Sequence, residues 1–170
     1  PCAVVDKPSA TLWVFDRQGR ALGRSPVLVG QAPGDVAPPD IGTRPLARVK
    51  PSEKITAAGR YVTEAGRNAQ GEDIVWLDYD AALSMHRVRN VPGESRTKRL
   101  QTPTVADNRI SFGCVNIPAS FYDRYIDPLF SRSKGVVYVL PETKPIASLF
   151  PFADGSVPAQ AVAQQIPAAR

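Results

Sequence analysis

A thiol and an imidazole carry the chemistry this chain can offer. Cys114 stands in the run Ser111-Phe112-Gly113-Cys114-Val115-Asn116, and His86 is the single histidine of the sequence. A thiol is mostly protonated at neutral pH, so acyl transfer through Cys114 needs a base to take its proton. His86 fits that role and would later return the proton to a leaving amine. No Asp or Glu adjoins His86 in sequence, so a backbone carbonyl is expected to fix its tautomer. Gly113 permits a tight path before the nucleophile. The N–H groups of Gly113 and Cys114 are expected to converge as an oxyanion hole. Ser111 shapes this turn, and Asn116 either braces it or meets the substrate backbone.

Plainer roles compete for the same thiol. Paired with Cys2 it would form a disulfide in an oxidising compartment, and alone it would be a small core hydrophobe. Cys2 is expected in an unanchored terminus, which makes it a poor disulfide partner. One His and two distant Cys do not form a metal-ligand spacing, so neither metal nor cofactor is implied.

The elements that must position this pair read as mainly β. Residues 11–29 predict a hairpin turning at Arg17-Gln18-Gly19-Arg20. A proline-rich irregular connection follows over 31–51. Strands are expected at 59–64, 74–79 and 82–86, with His86 at the end of the last, and at 136–140. One helix is predicted over 118–130, where Phe121, Tyr125 and Leu129 recur at helical spacing. Pro118 suits its first turn, and Pro128 should end or bend it. If Cys114 lies near this helix's N-terminus, the dipole favours its thiolate. Residues 1–150 read as one domain and 151–170 as an Ala/Pro/Gln-rich tail.

Composition bounds the partners. At 43% hydrophobic and 22% charged the chain is of globular type, and no apolar run is long enough to span a membrane. The net charge of +5 suits a polyanion or a solvated basic face. Neither zinc-finger spacing nor an aromatic nucleic-acid stripe accompanies it, which argues against nucleic acid.

At Ser111, Gly113, Cys114, Val115 and Asn116, with His86 upstream, the sequence resembles the YkuD-type L,D-transpeptidase catalytic domain. Weaker similarity covers residues 10–141, including Thr56-Ala57-Ala58-Gly59-Arg60-Tyr61. The resemblance implies a YkuD-like β-sandwich or barrel of mixed sheets with one or two short helices and a long lid loop. It also implies a cysteine nucleophile that attacks a peptidoglycan stem peptide. Phe112 stands where the family usually has a second histidine, and would serve as an apolar wall for that peptide. The interval 87–110 is longer than is usual for the family and rich in Arg and Lys. A loop of that length is more often functional than not. It is expected to form a basic lid, with Arg87, Arg89 and Arg96 meeting substrate carboxylates.

The expectation is therefore a monomeric, secreted or periplasmic enzyme of the bacterial wall. It would form a thioester with the stem peptide and pass it to an amine acceptor, a second stem or a protein. Hydrolysis of the same bond, or a wall-binding module with an inert Cys114, stands as the alternative. Action on a competitor's wall would use the same site.

Overall fold

The computed structural model describes residues 1–153. The expected tail falls outside the described residues from 154 on. The chain is mainly β, with mixed sheets and a few short helices, and the described residues form no closed barrel. In chain order the strands are β1 (Cys2–Asp6), β2 (Thr11–Phe15), β3 (Ala21–Pro26), β4 (Val29–Gly30), β5 (Gly59–Val62) and β6 (Glu64–Arg67). They continue with β7 (Asp73–Asp78), β8 (Leu83–Arg87), β9 (Arg109–Ser111), β10 (Val115–Ile117) and β11 (Val136–Val139).

One sheet runs β3-β2-β1-β11-β5 and the other β10-β8-β7-β6, while β4 pairs with β9 alone. Both larger sheets feed one core. Ala3, Val5, Leu12, Val14, Val137 and Val139 enter it from the first sheet, and Val75, Leu77, Met85, Val115 and Ile117 from the second. Such period-two alternation puts every other side chain on the opposite face.

That alternation decides where the site lies. Met85 and Val115 pair across β8 and β10 and are both fully buried. Each is worth about 1.5–3 kcal/mol in the core. A register slip of one residue would take them out of the core and put the polar side chains of Ser84, His86 and Asn116 in their place. Core packing therefore holds Ser84, His86, Cys114 and Asn116 on the other face.

Several expectations need correction. Cys2 is no loose terminus: β1 is the central strand of its sheet, paired with β2 on one side and in parallel with β11 on the other. Both cysteines are free thiols, which removes the disulfide. The hairpin stops at Pro26, and Val29–Gly30 turns away to pair with β9. The strand expected over 59–64 divides into β5 and β6, which belong to different sheets.

The helical run over 119–130 does form. Its middle, Tyr122–Ile126, is a π-turn ahead of Pro128, which sits within Asp127–Phe130 rather than ending it. A proline ring clashes with the carbonyl four residues back, and the wider turn gives it room. No helix among the described residues is long and apolar enough to cross a membrane.

Candidate active site

β8 and β10 run parallel, with Asn116 opposite His86 and Val115 opposite Met85. Continuing that register sets Cys114 beside Ser84, and the Ser84 hydroxyl donates to Cys114 Sγ at 3.4 Å. His86 is two residues along the same face. Both Cys114 and His86 line one cleft of about 270 Å³, so the thiol and the imidazole that the sequence singled out share a cavity.

His86 Nδ1 lies 2.7 Å from the Arg87 carbonyl oxygen. A carbonyl only accepts, so Nδ1 carries the proton and Nε2 is left as the basic nitrogen. Burial holds His86 below its ordinary titration range, and the charges of Arg89 and Arg96 add to this. The hydrogen bond to Arg87 and the charge of Glu72 oppose the shift without cancelling it. The resting imidazole is therefore neutral at pH 7, as a general base must be.

The nucleophile turn is fixed from three directions. Gly113 has φ +138°, and a Cβ there would sit 2.8 Å from the Ile55 carbonyl oxygen. Both facts favour glycine. Buried Thr56 donates through Oγ1 to the Gly113 carbonyl at 2.6 Å and accepts the Gly30 N–H at 2.8 Å. Asn116 donates through Nδ2 to the Cys114 carbonyl at 3.0 Å, and its Oδ1 accepts from Arg96 Nη1 at 2.8 Å. Asn116 is 1% exposed, so of its two expected roles it takes that of brace.

Two expectations about the turn change. The Gly113 N–H donates to Ser111 Oγ at 3.1 Å, so it is spent inside the turn and not aimed at an oxyanion. Among the described residues no hydrogen bond of the Cys114 N–H is found, so of the two expected oxyanion donors that amide is the one left unengaged. The helix dipole is also set aside, because β10 separates Cys114 from the helical run that begins at Ala119.

The insert is not a lid of free guanidinium groups. Arg87 leaves the cleft, pairs with Asp123 at 2.7 Å and lies over the Tyr122 ring. Arg96 is buried, held by Glu94 at 2.5 Å and by Asn116. Arg99 donates to the Glu94 and Asp107 carbonyls, and Arg109 pairs with Glu142. Arg89 lines the cleft and pairs with Glu72. Carboxylates hold Arg87, Arg89, Arg96 and Arg109, and backbone carbonyls hold Arg99.

The remaining walls are apolar. Ile41, Leu46 and Val49 come from the connection over 31–51, Val91 from the insert, and Phe112 from the turn. The Lys54 ammonium stands over the Phe112 ring, 3.8 Å from its centroid. Sequence reading missed the loop wall, Thr56 and Ser84. Two of these carried a local signal: Thr56 opens the 56–61 segment of the resemblance, and Ser84 lies two residues before His86 on a strand. No known protein-family profile matches this chain, and no curated protein matches it.

Proposed function

We propose that this protein is a cysteine acyltransferase of the YkuD-type L,D-transpeptidase kind, acting outside the cytoplasm on the bacterial wall. The reading rests on one observation above all: Cys114 and His86 share a strand-register face and a cleft, with the imidazole Nε2 left as acceptor. The motif at 111–116 supports the choice of substrate.

In this reading His86 takes the thiol proton while the sulfur attacks the carbonyl of an L,D-peptide bond in a stem tetrapeptide. The terminal D-residue leaves with that proton, and a thioester remains on Cys114. An amine from a second stem or a protein then takes the acyl group. Apolar walls from Ile41, Leu46, Val49 and Phe112 favour amine over water by keeping the thioester dry. The net charge of +5 suits an acidic substrate.

The test is mass spectrometry of wall muropeptides incubated with the protein and with Cys114→Ala. Crosslinked dimers or protein-linked stems that require Cys114 are expected. Trimmed stems alone would assign an L,D-carboxypeptidase, and unchanged muropeptides would overturn the enzyme reading in favour of a binding module.

A further inference from the structure

The sulfur of Cys114 touches two groups of β8 and the turn before it, and they favour opposite protonation states. The Ala82 carbonyl oxygen lies 3.3 Å from Sγ and can only accept, so it takes the S–H. Ala82 is one of three non-glycine residues with positive φ among the described residues, at +50°, and its carbonyl faces the thiol. The Ser84 hydroxyl donates to the same sulfur from a residue only 3% exposed. A carbonyl repels a thiolate, whereas a buried O–H stabilises one.

We propose that Ser84 is a catalytic hydrogen-bond donor to Cys114, holding the thiolate both as it attacks and as it is expelled from the thioester. The inference rests on the acyl-transfer reading above. In the first half, His86 Nε2 takes the S–H proton, and the C–S bond forms at the substrate carbonyl. The C–N bond then breaks, and the proton goes to the departing amine. In the second half, the acceptor nitrogen bonds to the carbonyl carbon and the C–S bond breaks. Its electron pair returns to sulfur, and the acceptor's proton reaches sulfur through His86. Ser84 transfers no proton in either half. Its hydroxyl steadies the charge on sulfur at both moments.

Other sources of positive potential are otherwise engaged. The helical run is set off by β10, Arg96 is tied to Glu94 and Asn116, and Arg89 to Glu72. Among the described residues, the Ser84 hydroxyl is the side-chain donor found in contact with the sulfur.

The experiment is the pH–rate profile for iodoacetamide alkylation of Cys114 in the wild type, Ser84→Ala, Ser84→Thr and His86→Ala. Removing one buried oxygen whose partner is the thiol itself strands no other polar group, so the alanine variant should fold. Its alkylation midpoint should move up by about one pH unit, a tenfold loss of thiolate at neutral pH. Release of an acyl group preformed on Cys114, followed by intact mass, should slow by about the same factor. Ser84→Thr keeps the hydroxyl and should restore both. Superimposable wild-type and alanine profiles overturn the proposal, as does a threonine variant that tracks alanine. A wild-type profile unchanged by His86→Ala removes the acyl-transfer reading itself, so the two failures are distinct.

Discussion

Two buried polar clusters meet at Thr56 and are made of opposite materials. Behind the site, Lys7, Asp35, Arg109 and Glu142 bring four full charges together. Lys7 is 0% exposed, donates to Asp35 Oδ1 and to the Thr56 carbonyl at 2.9 Å each, and lies 3.4 Å from Glu142. Arg109 pairs with Glu142 in turn. Burial alone would push the Asp35 carboxyl up. Hydrogen bonds from Thr143, Lys7 and the amides of Glu142 and Thr143 outweigh it and hold Asp35 well below the usual carboxylate range. Around the sulfur, by contrast, the contacts are a hydroxyl and a carbonyl, and the turn is tied by Thr56, Ser111 and Asn116. The charged cluster fastens the end of β1, the 34–35 loop and the segment after β11. In the proposed acyl transfer, the uncharged one would let a proton leave sulfur and return without unbalancing an ion pair.

Removing a charge from the first cluster should have the largest effect on stability. Lys7→Met leaves Asp35 and Glu142 short of a cation, and breaking a buried pair in this way costs about 3–5 kcal/mol. Urea unfolding should show that loss, while alkylation of Cys114 per folded molecule stays within a few-fold. A collapse of thiol reactivity at unchanged stability would reverse the division of labour.

Thr56→Val tests the junction. It orphans the Gly30 N–H and the Gly113 carbonyl, so a cost of about 1–3 kcal/mol is expected. Here reactivity should fall as well, because the nucleophile turn loses an anchor.

The smallest effect is in pH. His86 titrates below its ordinary 6.5 in the folded state, so the unfolded chain takes that proton first. Its contribution to stability is complete above pH 6.5 and is lost as pH falls from there through the lower folded value. Asp35 is also depressed, from 3.8, so its contribution survives until pH drops below that value. Urea midpoints from pH 8 to 3 should therefore decline in two stages, and His86→Leu should flatten only the first.

Much of the frame was legible because it is local. β2, β7 and β11 are rich in β-branched or aromatic residues and appear where those runs occur. β1 has the same character in Ala3-Val4-Val5, but its parallel pairing with β11 links the two ends of the domain and leaves no local mark. β6, Glu64-Ala65-Gly66-Arg67, is a strand only because β7 offers it an edge. Within the site, Cys114 and His86 stood out by residue type, and the two-residue alternation from His86 already pointed to Ser84. The directions of three arginines were hidden, since each is set by a carboxylate distant in sequence: Asp123 for Arg87, Glu72 for Arg89, Glu142 for Arg109.

The most direct measurement is the intact mass of the protein quenched during reaction with a stem tetrapeptide. The account predicts an acyl adduct on Cys114 in the wild type and none in Cys114→Ala. In His86→Ala the adduct should form at least about a hundredfold more slowly, the usual worth of a general base. An adduct on another residue, or equal rates with and without the imidazole, would contradict it.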